Sequence, residues 1–129
     1  MKQDPKRRVE DIFEEDGRYP LEAAQFVREG LNHTIQLYHT DEQPGGRHHV
    51  GGSQLCEGLR DLATRRWGRL ARSVLNSWNV TRTRDFGEIV FLLVSNRWMQ
   101  KEADDRPEDF DDVYDFDEAF DRKFEFEFE

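Results

Sequence analysis

Up to Val94, apolar residues recur along this chain with a helical period, interrupted at only a few points. Val9, Ile12 and Phe13 stand at i, i+3 and i+4, which predicts a short amphipathic helix over about residues 6–15, ended by Asp16-Gly17. Pro20 suits the first turn of a second helix, whose stripe of Leu21, Ala24, Val27, Leu31, Ile35 and Tyr38 reaches about His39. Residues 40–52 hold Pro44, four glycines and two adjacent histidines, which is loop composition. Ser53 suits the N-cap of a third helix with Leu55, Leu59, Leu62, Ala63 and Trp67 on one face. Leu70, Ala71, Val74, Leu75 and Trp78 continue that period after Gly68. Thr83 reads as the cap of the last long helix, in which Phe86, Ile89, Val90, Phe91, Leu93 and Val94 are apolar nearly all round. Such a helix belongs at the centre of a core, packed here by Leu59, Leu62, Val74, Leu75 and Trp78.

Beyond Val94 the helical period stops. Residues 97–102 alternate, 103–108 are turn-like, and 109–114 return, which predicts a small β-hairpin near residues 97–114. Residues 115–120 read as a last short helix. The expected fold class is therefore mainly α, with an α+β component. It is a compact helical domain of about four to five helices, spanning residues 1–121, with the hairpin and an acidic C-terminal extension. Residues 122–129 are expected to form a mobile Phe/Glu tail.

Charge divides the chain more sharply than hydropathy does. Residues 102–129 carry 14 of the 28 carboxylates and 6 of the 10 phenylalanines, with only three basic residues, for a formal charge of −11. Residues 1–101 hold 16 basic and 14 acidic side chains, or +2. Phenylalanine gains roughly 1.5–3 kcal/mol on burial, whereas crowded carboxylates repel and resist desolvation. A segment rich in both lays its rings on a surface and leaves its acids in water. Phe116, Phe120, Phe124 and Phe128 step by four, but Phe124, Phe126 and Phe128 alternate with Glu125, Glu127 and Glu129. A helix would throw Phe126 to the far side, so the last six residues favour extension. Phe124, Phe126 and Phe128 are thus candidate interaction residues, as an aromatic arm for this chain, a second copy or a partner.

Four segments also carry a resemblance. Residues 11–20 (DIFEEDGRYP), 55–61 (LCEGLRD), 85–91 (DFGEIVF) and 115–120 (DFDEAF) resemble, in order, the motifs of an uncharacterised protein family associated with planctomycetes and verrucomicrobia. The resemblance covers about residues 9–120. A glycine often follows the tryptophan in that family, where this chain has Trp78-Asn79; asparagine also accepts a left-handed helix end. The family implies no activity and no catalytic residues.

Candidate chemistry is sparse. His33, His39, His48 and His49, with Asp41 and Glu42, contain residue types that bind zinc or iron, but at no recognised ligand spacing. Solvated or capping histidines are the expectation. Cys56 is the only cysteine, so it has no internal disulfide partner, and its apolar helical neighbours suit a small buried hydrophobe better than a nucleophile. Nucleotide and hydrolase fingerprints are absent. No catalytic, cofactor-binding or metal residue is therefore expected, and no cofactor. The longest apolar run, residues 89–94, is far short of the ~20 residues that span a bilayer, and no apolar stretch follows the basic N-terminus, so the expected location is the cytoplasm.

The arginines are the remaining feature. If the third helix runs through Gly68, Arg65, Arg69 and Arg72 line one side of it, a face that could hold phosphates. The net charge of −9 opposes nucleic acid at long range, and the last long helix is too apolar to read bases. The leading expectation is a non-enzymatic intracellular interaction or regulatory module whose partner is another protein and whose acidic segment covers the basic face. Nucleic-acid or ribosome-associated binding through the arginines is the alternative, and an uncharacterised enzyme or metal-binding protein the third.

Overall fold

Five α-helices form close to where the apolar period places them. The structure, a computed structural model, describes residues 7–39 and 50–122. Helix α1 covers Val9–Asp16, α2 Leu21–His39, α3 Gly52–Trp67, α4 Ala71–Ser77 and α5 Thr83–Ser95. Gly17 ends α1 at φ 81°, a left-handed conformation, with its N–H on the Phe13 carbonyl. Among the described residues, no helix is long and apolar enough to cross a membrane.

Three local expectations change. The third helix starts a residue ahead of Ser53, with Gly51 as its N-cap and the Gly51 N–H donating to Gln54 Oε1 at 3.3 Å. It does not run through Gly68 either. That glycine sits at φ 54°, ψ −127°, which a side-chain-bearing residue strongly disfavours, and a 3-10 turn over Gly68–Leu70 redirects the chain into α4. Thr83 does not cap α5. It lies inside the first turn, where its hydroxyl donates to the Phe110 carbonyl (2.6 Å) and accepts from the Val113 N–H (3.1 Å). Asp85 does the capping instead, its Oδ2 accepting from the backbone N–H groups of Thr81 (2.9 Å) and Arg82 (3.3 Å).

The core joins all five helices. α2 and α3 lie side by side at close range, because Gly58 presents no side chain to the buried Thr34. Phe86, Ile89 and Leu93 of α5 are fully buried, as a central helix requires. Phe91, Leu92 and Val94 are only partly buried, so one flank of α5 reaches the surface. Phe26, Trp67 and Trp78 pack ring on ring at 5.1–5.8 Å, closing the end where α3 turns into α4.

The β-hairpin expected near residues 97–114 does not exist: no strand occurs among the described residues. The segment is a series of turns, with a 3-10 turn over Pro107–Phe110 and a π-helical turn over Asp117–Arg122. Aspartates explain the difference. Asp105 Oδ2 accepts from the Glu102 N–H at 2.8 Å, and Asp109 Oδ2 from the Arg106 N–H at 2.9 Å, so side chains take donors a ladder would need. Arg97 and Asp112 adopt positive φ (68° and 51°), which breaks extension. Pro107, without an N–H, starts a helical turn rather than joining a strand. The alternating apolar residues Trp98, Met99, Val113 and Tyr114 instead pack partly buried against the helical core.

Candidate interaction surface

The arginines proposed as a basic face are divided by the turn at Gly68. Arg65 ends α3, Arg69 lies in the 3-10 turn and Arg72 in the first turn of α4, so no single helical stripe joins them. Each described pair runs to a carboxylate of this chain. Arg65 Nε donates to Asp61 Oδ2 at 2.7 Å and Arg66 Nη1 to Glu29 Oε1 at 2.6 Å. Arg72 pairs with Asp117, and Arg84 of α5 bridges Glu88 (2.8 Å) and Asp111 (2.9 Å).

The described part of the acidic segment, residues 102–122, therefore folds back. Asp111 and Asp117 meet arginines of α5 and α4, while Phe110, Phe116 and Phe120 are each at most 4% exposed. Phe116 packs against Phe86 (5.9 Å) and edge-on to Phe120 (5.0 Å). Asp117 is largely solvated, and an exposed pair contributes only ~0–1 kcal/mol. The rings at roughly 1.5–3 kcal/mol apiece supply the docking energy, and the ion pairs set register. Phe124, Phe126 and Phe128, like His48 and His49, lie outside the described residues.

A second polar cluster ties the α1–α2 turn to α5. Tyr19 donates to Asp85 Oδ1 at 2.7 Å, both residues being buried. Burial, and then the bond to Asp85, push the Tyr19 phenol well above its ordinary value. Arg18 holds Asp16 and Glu88 together, and Glu88 also accepts from Arg84. Hydrogen bonds from Arg84 and then Arg18 outweigh burial and lower the Glu88 carboxyl below its ordinary 4.5. A lowered carboxyl adds stability that is present above 4.5 and lost as pH falls through the folded-state value. The wild-type urea midpoint should therefore drop as pH falls below 4.5, and Glu88→Gln should flatten that part of the profile. Identical slopes for the two proteins would remove Glu88 from the acid response.

Cys56 is fully buried on α3, and that burial pushes its thiol far above the ordinary range. The carbonyl of the same residue accepts from Tyr114 Oη at 2.7 Å. A thiol reagent should leave Cys56 untouched in the native protein and label it fully in guanidinium; rapid native labelling would contradict this burial. His33 Nε2 lies 2.7 Å from Asp61 Oδ2. Burial raises the Asp61 carboxyl, but bonds from His33 and Arg65 outweigh it and leave the group below its usual value. Thr34, next along α2, commits its hydroxyl to the Gly30 carbonyl at 2.6 Å. Among the described residues, no three His, Cys, Asp or Glu side chains gather as a metal cluster would.

One surface feature escaped the sequence reading. A groove of about 580 Å³ runs between α2 and the turn after α5. Gln25, Arg28, Glu29 and Asn32 form its exposed wall, with Glu29 also paired to Arg66, and Leu31, Trp98 and Met99 its half-buried floor. The Arg28 guanidinium lies over the Trp98 ring at 5.0 Å, and the Trp98 indole N–H donates to the Arg7 carbonyl at 2.7 Å. The i, i+3, i+7 spacing of Gln25, Arg28 and Asn32 marks one helix face, but the alternation around Trp98 and Met99 predicts a strand rather than a groove floor.

Three of the four resembling segments meet at the first two turns of α5: Tyr19 on Asp85, Arg18 on Glu88, and Phe116 on Phe86. No family model, curated protein or solved structure matches the chain, so the family resemblance stays an expectation from the sequence.

Proposed function

We propose that this chain is a non-enzymatic, cytoplasmic protein-interaction or regulatory module, with its acidic, aromatic C-terminal segment acting on its own helical body. One observation carries the reading. The segment's described part buries three rings, with Phe110 and Phe116 against α5, and its carboxylates occupy Arg72 and Arg84. A partner that competes for those arginines, or for those rings, would read the docked state of the segment. The same pairs weigh against nucleic acid as the ligand, because phosphates would have to displace carboxylates already in place. Burial of Cys56 weighs against thiol chemistry.

The test compares affinity captures of the wild-type chain and of Arg72→Glu/Arg84→Glu from the same cells. A protein whose recovery changes between the two supports the reading. Recovery of nucleic acid by wild type, lost in the variant, would replace it with the arginine-face alternative.

A further inference from the structure

The helical body reads the acidic segment position by position. Gly87 leaves room for Phe110, since a Cβ there would stand 2.8 Å from its side chain. The Thr83 hydroxyl takes the Phe110 carbonyl and the Val113 N–H. Arg84 holds Asp111, the Cys56 carbonyl accepts from Tyr114, Phe86 meets Phe116, and Arg72 holds Asp117. These contacts join residues 110–117 to α3, α4 and α5, and none of them uses the residues that connect α5 to the segment. That connection is a surface turn. Residues 100, 101, 103, 104 and 106 are exposed, and two bonds close within the turn: Glu102 N–H to Asp105 Oδ2 (2.8 Å) and Asp105 N–H to the Glu102 carbonyl (3.1 Å). Trp98 and Met99, just ahead of it, pack against the core. Unwinding the turn breaks those two bonds and leaves both side chains where they are. Extended, its seven residues reach about 24 Å.

We propose that residues 107–122 exchange between two copies of the chain, each segment docking on the other body in the geometry it takes on its own. The inference rests on reading the acidic segment as an interaction element. Packing selects the occupant. Phe110, Phe116 and Phe120 are buried and supply most of the docking energy, so the surface beneath them does not stay bare when the segment leaves. Whatever replaces the segment has to bring three rings at that spacing, with carboxylates placed for Arg72 and Arg84. Residues 107–122 of another copy bring all of these at once, and the hydroxyl of Thr83 receives the same two backbone groups. Exchange in both directions uses one surface twice and closes a two-fold dimer.

Cross-linking between full-length chains tests this. One chain carries Arg84→Cys and the other Asp111→Cys; the two native side chains pair at 2.9 Å and are partly exposed, so neither replacement disturbs the core. Cys56 is buried and stays out of the reaction. The chains are mixed in urea at high protein concentration, refolded together and treated with a short bis-maleimide. The mixture should give a heterodimeric product at least ~tenfold above that from Arg65→Cys mixed with Asp111→Cys, because docking raises the local concentration of the thiols. One chain carrying both Arg84→Cys and Asp111→Cys is the control for geometry, and it should link internally at low concentration. The proposal is overturned if that chain links internally while the mixture yields no more heterodimer than the Arg65→Cys pair. Failure of the doubly substituted chain to link would overturn it equally, since residue 111 would then not dock beside residue 84. The interaction-module reading fails separately, when the capture experiment recovers no protein whose yield changes.

Discussion

A chain ended at Ala103 should lose its cooperative thermal transition, although all five helices lie before that point. The truncation removes Phe110, Phe116 and Phe120, each at most 4% exposed in the full chain. At roughly 1.5–3 kcal/mol per ring the loss is on the order of 5–9 kcal/mol, as large as the whole stability of many small domains. It also strips two partners from the buried Thr83 hydroxyl, and it bares the face of α5 at Gly87. That glycine is required for the docking: a Cβ there would stand 2.8 Å from the Phe110 side chain. A chain ended at Arg122 keeps all three rings and is the control. Circular dichroism melts of the two truncations decide the matter. A cooperative transition at the full-length temperature in the shorter chain would mean that the helices hold together alone, and that the acidic segment is only laid upon them.

Gly58→Ala should destabilise the protein by about 1–3 kcal/mol, against the usual preference of a helix for alanine. The new methyl would overlap Thr34 Oγ1, and Thr34 is itself fully buried with its hydroxyl on Gly30. Either α2 and α3 move apart, or Thr34 leaves its rotamer and its hydrogen bond. Removing the obstacle should reverse the effect. Thr34→Ala in the Gly58→Ala background should recover most of the lost stability, while Thr34→Ala alone should cost stability. Denaturant midpoints of the four proteins give the coupling directly. If the two changes simply add, the close approach of the helices is not set by this pair.

The helices were legible because each needs only its own neighbours. Periodic apolar positions, a glycine able to close α1 and a proline just ahead of α2 act within a few residues, so their meaning survives without the rest of the molecule. The break at Gly68 was less so. Leu70, Ala71, Val74 and Leu75 keep the period on both sides of it, and only the backbone angles of the glycine reveal that the axis turns. The geometry of the arginine stripe depends on that axis: Arg65, Arg69 and Arg72 share one side only on an unbroken helix.

The region after Val94 misled in a more general way. Alternating apolar and polar residues signal a strand only if another strand supplies the ladder, and aspartate side chains satisfy the backbone here instead. Trp98 and Met99 consequently face α2, forming a groove that no local pattern announces.

From the order of residues come the positions of the helices, the burial of one face of α5, the inertness expected of Cys56 and the charge contrast between body and C-terminal segment. These follow from composition and short-range periodicity. Where the acidic segment comes to rest, which carboxylate each arginine takes and which surface stays open depend on contacts between residues far apart in the chain. Arg72 and Asp117, Thr83 and Phe110, and Tyr19 and Asp85 are brought together only when the helices pack. A burial energy spread over many apolar neighbours tolerates a coarse reading, whereas an ion pair or a groove exists only at one geometry, and that geometry belongs to the folded chain.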